Sequence, residues 1–253
     1  AKIVVIDSGL GSISIIKEIK KIMKTDIVYF ADQKNYPYGN KSQAQIASII
    51  KKTINMLEEK FTPDVIVVAS NTPSLMLNLQ TGKIIGVKPP LKLAQKKSKS
   101  KKIGILATKA SVNSKGLENY VKENNIPKSY KIFKINGSNL VDLVESGKFL
   151  NNKKYCKKII KKSLDDYIIT EKIDAITLSS THLLFLKTLL EKEFPQVEFI
   201  DPGSLVAKKI FLKIKNKQSK RNSLKIFTSG DIINFKNKLN KIGIKNKINY
   251  LST

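Results

Sequence analysis

Two short runs of polar side chains carry residue types that could do chemistry. Residues 70–72 read Ser-Asn-Thr and residues 180–182 read Ser-Thr-His, and each run directly follows an apolar, β-branched stretch. In open α/β sheets, ligands bind at the carboxyl ends of the strands. Both runs are therefore candidates for a site that binds a polar ligand or acts on it.

A serine hydrolase is one reading of these runs, with Ser70 or Ser180 as nucleophile and His182 as base. The chain has no Gly-x-Ser-x-Gly segment around either serine. His182 lies two residues from Ser180 in one loop, which is a poor geometry for a catalytic triad. The pattern disfavours a hydrolase, and it leaves His182 open as either a structural or a functional residue.

The turn at residues 7–12, Asp-Ser-Gly-Leu-Gly-Ser, stands between a strand and a helix. Its two glycines are typical of a phosphate-binding turn, but Ser14 takes the place of the third glycine. Asp7 would repel a pyrophosphate, so an amino acid fits better. Asp7 and Ser8 could hold its ammonium while helix amides receive a carboxylate. Alternatively, a serine of this turn only caps the helix.

The elements that must position these residues alternate in type along the chain. Short β-branched runs alternate with longer stretches whose apolar residues recur every three to four positions, which predicts an α/β fold with mostly parallel sheets. Strands are predicted at residues 3–6, 26–30, 65–69, 84–87, 102–107, 130–135, 175–178 and 197–200. Helices are predicted at residues 13–23, 42–59, 111–124, 151–170, 184–193 and 204–215.

The connecting segments suggest two lobes. Residues 91–101, with the two prolines just before them and a lysine run, interrupt the pattern, and a second crossing is expected near residues 201–203. We expect a discontinuous first lobe of residues 1–94 and 201–253 and a second lobe of residues 95–200. The pattern does not place residues 221–253.

Composition restricts the function classes. The 253-residue chain has one cysteine and one histidine, which excludes an intrachain disulfide and metal sites built on several such ligands. No run is long enough to span a membrane and no signal peptide is evident, so we expect a cytoplasmic protein. The net charge is +27, but the lysines are scattered and Arg221 is the one arginine. This distribution of charge argues against nucleic acid as a partner.

Several motifs together resemble one family, the cofactor-independent aspartate/glutamate racemases, and most closely its glutamate racemases. The similarity extends over roughly residues 3–210. The motifs are Asp-Ser-Gly-Leu-Gly at residues 7–11, Pro-Tyr-Gly at residues 37–39 after Asp32, Ser-Asn-Thr at residues 70–72, Thr108 with Ser111, Glu145 with Gly147, Ser-Thr-His at residues 180–182, and Ile-Asp-Pro at residues 200–202.

The resemblance implies two pseudo-symmetric α/β lobes with an active-site cleft between them, a small acidic amino acid as substrate, no cofactor, no metal and a homodimer. Two cysteines of the family, one from each lobe, exchange the α-proton on opposite faces. Ser70 and Ser180 occupy those positions, with Asp7, His182 and Glu145 as helpers. The positions implied to bind substrate are Ser8, Pro37, Tyr38, Gly39, Asn71, Thr72, Thr108, Ser111 and Thr181.

The two serines predict weak activity. A thiol has a pKa of about 8.5, whereas an alcohol resembles water at about 15.7. A gap of about 7 units corresponds to about 10 kcal/mol if a full alkoxide is required. Deliberate replacement and natural divergence both explain the serines. Drift at neighbouring positions, such as Ser12, Pro73 and Ser179, favours divergence and leaves open an inert homologue that only binds the ligand.

Overall fold

The structure is a computed structural model that describes residues 1–77, 79, 82–217 and 219–253. The chain forms two compact units. The first unit consists of Ala1–Val87 and Gly203–Thr253, and the second consists of Lys88–Pro202. Each unit has its own parallel β-sheet with helices packed against it. No helix within the described ranges combines the length and apolar character that a membrane span requires.

The first stretch of the chain builds most of the first unit. Its strands consist mainly of buried isoleucine and valine, and a capping box, in which Ser42 and Gln45 bond each other's backbone N–H groups, starts its longest helix. The elements are β1 (Lys2–Asp7), α1 (Ser12–Ile22), β2 (Asp26–Ala31), α2 (Gln43–Phe61), β3 (Val65–Val68), α3 (Asn71–Met76) and β4 (Ile84–Gly86), with short 3-10 helices at Gln33–Asn35 and Tyr38–Asn40.

The second unit repeats the alternation of strands and helices. Its elements are α4 (Leu91–Lys97), β5 (Lys102–Ala107), α5 (Lys109–Val112), α6 (Lys115–Glu123), β6 (Lys131–Asn136), α7 (Ser138–Glu145), α8 (Lys148–Asn151), α9 (Lys153–Asp165), β7 (Ala175–Leu178), α10 (Lys187–Glu193) and β8 (Glu198–Ile200). A π-helical turn, Asp166–Thr170, extends α9, and a 3-10 helix, Thr181–Leu186, precedes α10.

The last stretch returns to the first unit. It forms α11 (Gly203–Ile214), a short 3-10 helix at Lys215–Lys217, β9 (Ser223–Thr228), α12 (Ile232–Lys241) and β10 (Ile248–Tyr250). Helix α11 packs on α1, and β9 pairs with β2. The first sheet therefore has the order β10-β9-β2-β1-β3-β4, and the second has the order β6-β5-β7-β8. The core β2-β1-β3-β4 of the first sheet matches the whole second sheet in order and direction.

All eight predicted strands are present in the structure, with every end within one residue of its predicted position, whereas the predicted helices differ from the structure in several places. The predicted helix at residues 111–124 is two helices, because Ser114 caps a new one. The segment at residues 151–170 divides among the end of α8, α9 and the π-helical turn. Helices α3, α4 and α7 were not predicted, since they are too short to show a clear apolar period. The unplaced tail forms two strands and a helix.

Cys156 differs from what its sequence neighbours predict. The lysines at positions 153, 154, 157 and 158 predict an exposed helix surface for it, but its side chain is fully buried in the core of the second unit. The lysines of α9 occupy the opposite, exposed face of the helix. Burial raises the pKa of the Cys156 thiol, so the reactive thiolate form is disfavoured.

Candidate active site

Ser70 and Ser180 occupy equivalent positions in the two units. After β3, the Ala69 N–H donates to the Ile6 carbonyl at 2.8 Å, and after β7, the Ser179 N–H donates to the Leu106 carbonyl at 2.8 Å. The next residue in each case is a serine that starts a helix, with φ/ψ of −139°/127° at Ser70 and −141°/133° at Ser180. The two serines therefore end corresponding strands on the same backbone geometry.

Asp7 and Ser8 lie at the end of β1, next to the strand that leads to Ser70. Both are buried. The Asp7 carboxylate accepts a hydrogen bond from the Ser8 N–H at 2.8 Å, and the Asp7 carbonyl accepts one from the Asp32 N–H at 2.7 Å. The backbone therefore fixes a carboxylate and a hydroxyl side by side at the centre of the sheet edge.

A buried carboxylate, Asp32, anchors the loop that carries Tyr38. It accepts hydrogen bonds from the Tyr38 hydroxyl at 3.0 Å, the Asn35 amide at 2.9 and 3.0 Å, and the Ser229 hydroxyl at 3.0 Å. Burial raises the pKa of Tyr38 well above its usual value, and the negative charges of Asp32 and Asp7 raise it further. The phenol therefore stays protonated and donates to Asp32.

The segment around Tyr38 lies against the helix that begins after Ser70. The 3-10 helix Tyr38–Asn40 packs on α3, and Pro37 and Gly39 are half-buried beside Tyr38. We call Asp7, Ser8, Asp32, Pro37, Tyr38, Gly39, Ser70, Asn71 and Thr72 the first half-site. It gathers every residue of this unit for which the sequence predicted a role.

Asn71 is the unusual member of the first half-site. It is 3% exposed, and neither its amide nitrogen nor its amide oxygen has a hydrogen-bond partner among the described residues. Leaving a buried polar atom unpaired costs about 1–3 kcal/mol. Ser70 beside it is half-exposed. The amide oxygen can therefore accept a hydrogen bond from the ammonium of a ligand, and the amide nitrogen can donate one to a carboxylate.

His182 and Glu145 form a close pair in the second unit. His182 Nε2 lies 2.6 Å from Glu145 Oε1, and the two side chains are 8% and 11% exposed. Helix α7, which ends at Glu145, packs on the 3-10 helix that carries His182. A carboxylate at this distance fixes the orientation of the imidazole ring.

Ser180 and Thr181 precede this histidine and are both buried. At the end of the neighbouring strand β5, the Thr108 hydroxyl donates to the Ser111 hydroxyl at 3.1 Å and accepts from the Ser111 N–H at 3.4 Å, so that it caps α5. We call Thr108, Ser111, Glu145, Ser180, Thr181 and His182 the second half-site. Its members come from β5, α7 and β7 and the turns that follow them.

Sequence reasoning missed the supports of the first half-site. Asp32 was quoted as part of a motif without a site role, and Asn35 and Ser229 were not singled out. Ser229 lies in the tail that could not be placed, 197 residues from Asp32, so no local pattern connects them. Among the described residues, no group of three or more His, Cys, Asp or Glu side chains is arranged to hold a metal ion.

Comparison with known proteins identifies the family. No protein-family model matches the chain. The chain is 30% identical over 231 residues to a glutamate racemase of Leptospira borgpetersenii, which covers 88% of this chain and 86% of that protein.

Solved structures show the same fold. A glutamate racemase of Bacillus anthracis superposes with a TM-score of 0.83 at 24% identity, covering 100% of this chain and 97% of that one. Escherichia coli glutamate racemase, in complex with L-glutamate and an activator, superposes with a TM-score of 0.82 at 20% identity over 99% and 98% of the two chains. With two matching α/β units, equivalent strand ends and a relative at 30% identity over most of its length, the chain belongs to the glutamate racemase family.

Proposed function

We propose that this chain is a glutamate racemase-like protein whose two half-sites address opposite faces of one amino-acid α-carbon, with Ser70 and Ser180 at the positions of the family's two acid/base cysteines. The observation that carries the proposal is the equivalence of the two serines. Each ends a corresponding strand with nearly the same φ/ψ angles, one in each unit. A reaction that removes a proton from one face of the α-carbon and delivers a proton to the other face needs an acid/base group on each face, and one serine from each unit would supply that pair.

The surrounding residues supply the binding groups. In the first half-site, Asp7 and Ser8 would hold the substrate's ammonium, and the unpaired amide of Asn71 would meet a carboxylate or the ammonium. In the second half-site, the hydroxyls of Thr108, Ser111 and Thr181 would meet carboxylate oxygens. These groups suit glutamate, and the L-glutamate complex of the Escherichia coli relative supports that choice. Aspartate offers the same groups on a shorter chain.

The acid/base step is where this chain departs from its family. A serine hydroxyl gives up its proton far less readily than a thiol, by about 7 pKa units. The Glu145–His182 pair on one side and Asp7 on the other can assist proton transfer through the serines, and general acid–base assistance contributes roughly 10²–10⁴-fold. At 1.36 kcal/mol per tenfold, that assistance is worth about 3–5 kcal/mol and leaves roughly half or more of a gap of about 10 kcal/mol uncompensated. We therefore expect a slow racemase that needs no cofactor.

An inert homologue that binds a dicarboxylate is the second candidate. The binding groups of both half-sites are present, whereas Cys156, the single thiol of the chain, is buried in the core of the second unit. Loss of the thiols alone would leave a ligand-binding protein. The two candidates differ in turnover and agree in binding.

Circular dichroism of the amino-acid solutions distinguishes the slow racemase from the inert homologue. L-Glutamate, D-glutamate, L-aspartate and D-aspartate are each incubated with the native chain and with a Ser70→Cys/Ser180→Cys variant, and calorimetry measures binding of the same four ligands. We expect binding by both proteins, slow racemisation by the native chain and much faster racemisation by the variant. Binding with no turnover by the native chain supports the inert homologue. No turnover by the double variant contradicts the assignment of the two serines.

A further inference from the structure

A cavity lies in the second unit, between helices α9 and α10, which pack against each other. It is a cavity of about 300 Å³, at the lower end of the range for small-molecule sites. Its lining residues come from the first half of α9 and from α10: Lys153, Lys154, Lys157, Ile160, Leu189, Lys192 and Glu193. None of these residues belongs to either half-site.

The cavity combines an apolar floor with a basic rim. Leu189 is half-buried and presents hydrocarbon to the cavity, and the fully buried Ile160 packs beneath it. The four lysines are exposed, so their aliphatic stems line the walls while their ammonium groups reach the rim. A ligand in this cavity would place an apolar part over Leu189 and the lysine stems and a charged part among the ammonium groups.

The charges at the rim are unbalanced. Lys157 Nζ lies 3.0 Å from Glu193 Oε2, so these two charges compensate each other. Within the described part of the chain, Lys153, Lys154 and Lys192 have no ion-pair partner. Helix α9 starts at Lys153, so its N-terminal dipole adds to the positive potential at this end of the cavity.

We propose that this cavity binds a phosphate monoester with a small apolar or aromatic substituent. The three unpaired ammonium groups match a phosphate dianion better than a singly charged carboxylate, and lysine binds phosphate as a point charge. The apolar floor should give such a ligand a higher affinity than a free inorganic anion, which has no apolar part to cover it. The cavity would therefore take its ligand independently of the amino acid at the half-sites.

Phenyl phosphate is a suitable probe. Calorimetric titration of the full chain compares phenyl phosphate with inorganic phosphate and with benzyl alcohol, which lacks the charge. We expect saturable binding of one phenyl phosphate per chain, at least about tenfold tighter than inorganic phosphate because the ring covers the floor. Equal affinity for phenyl and inorganic phosphate, or no saturable binding, would overturn the proposal.

Two variants locate the site. Lys153→Gln/Lys154→Gln/Lys192→Gln removes the unpaired rim charges, and we expect it to weaken phenyl phosphate binding by about tenfold or more. The matched control, Lys128→Gln/Lys161→Gln/Lys162→Gln, removes three exposed charges from the same unit outside the cavity and should leave the affinity within about twofold. If the control weakens binding as much as the rim variant, the attraction is general charge and the proposed site is wrong.

A third variant tests the floor. Leu189→Trp fills the cavity with an indole. It should weaken the binding of phenyl phosphate and leave the weak binding of inorganic phosphate unchanged. Thermal unfolding of each variant shows that the fold is intact. Unchanged phenyl phosphate affinity in a folded Leu189→Trp chain would contradict the placement of the ring.

Discussion

At the scale of single residues, the first half-site depends on a carboxylate that is fully enclosed. Asp32 is 0% exposed and is satisfied by three side chains, of Asn35, Tyr38 and Ser229. A buried ion remains charged only when hydrogen bonds replace its lost water. The same contacts hold Tyr38 beside α3, so the position of this ring is set by Asp32.

The ionisation of Tyr38 gives the first prediction. Because burial, with the charges of Asp32 and Asp7, raises the pKa of Tyr38, its phenol should ionise well above pH 10 in the folded chain. The unfolded chain loses the Tyr38 proton at lower pH than the folded chain does. The free energy of unfolding should therefore fall as pH rises above about 10. Ultraviolet titration of the native chain and of Tyr38→Phe measures the ionisation of Tyr38. The difference between the two curves should appear only well above pH 10, and a difference centred near 10 would contradict the enclosed site.

The Glu145–His182 pair gives the second prediction. In the Ser70→Cys/Ser180→Cys background, Glu145→Gln removes the charge that orients His182 and should lower kcat by about tenfold or more, with less effect on KM. Glu171→Gln is the control, since Glu171 only pairs with exposed Lys131 at 3.5 Å. Equal kcat in the two variants would show that Glu145 has no part in proton transfer.

Much of the site at this scale could be predicted from sequence. Ser70 and Ser180 follow β-branched strands, so they were placed at sheet edges, and the motif resemblance placed Glu145 near His182, where the structure has them 2.6 Å apart. Ser229 and Asn35 could not be found in this way. Their contacts to Asp32 depend on how the tail folds back, which no local period indicates.

At the scale of elements, hydrogen bonds from the loop after α4 to Asp174 hold the start of β7 in place. The Asp174 carboxylate accepts from the hydroxyls of Ser98 and Ser100 at 2.6 and 2.8 Å and from the N–H groups of Lys99 and Ser100 at 2.8 and 2.7 Å. Ser98, Lys99 and Ser100 lie in the lysine run that interrupts the sequence pattern within residues 91–101. The structure ends α4 there, with Asp174 as the anchor.

Asp174 therefore gives a prediction about stability. Burial alone would raise its pKa, but the hydrogen bonds from Ser98, Ser100 and Lys99 outweigh burial and hold the pKa below 3.8. The stabilisation is present above pH 3.8 and is lost as pH falls through the lower folded pKa. Asp174→Ala should cost about 1–3 kcal/mol in urea unfolding at pH 7.

The same comparison at acid pH completes the test. The difference between the native chain and Asp174→Ala should shrink as the pH falls below 3.8, because the native carboxylate is then protonated. Asp142→Ala serves as the control, since Asp142 is exposed. A difference of the same size at pH 7 and at pH 2 would contradict the role of the charged carboxylate.

The tail strand β9 ties the end of the chain to the first half-site. The Ser229 hydroxyl reaches Asp32 at 3.0 Å, and the Ser229 N–H donates to the Ala31 carbonyl at 3.1 Å. Ser229→Ala should raise KM for glutamate in the double-cysteine background by several-fold, because Tyr38 loses part of its support. Ser219→Ala is the control, because Ser219 lies before the start of β9 and its hydroxyl donates to Asp26 at the start of β2. Equal KM values for Ser229→Ala and Ser219→Ala would show that the tail does not support substrate binding through Ser229.

At the scale of the whole molecule, the two units repeat one design. The strand order β2-β1-β3-β4 matches β6-β5-β7-β8, and the connection after the third strand carries a serine in both. Alternation of strands and helices in the sequence predicts this fold, because parallel strands need a crossover between them. The homodimer expected from the family resemblance stays a prediction, which sedimentation can check.

The central claim is that Ser70 and Ser180 stand at the two acid/base positions on opposite faces of one substrate. The most direct test follows loss of the α-proton signal of L- and D-glutamate in heavy water by NMR, for the native chain, Ser70→Cys, Ser180→Cys and the double variant. Ser204→Cys, with an exposed thiol on α11, is the control. We predict that Ser70→Cys accelerates α-proton exchange of one glutamate enantiomer and that Ser180→Cys accelerates exchange of the other. The double variant should exchange both enantiomers. Acceleration of the same enantiomer by both single variants, or by neither, would contradict the claim.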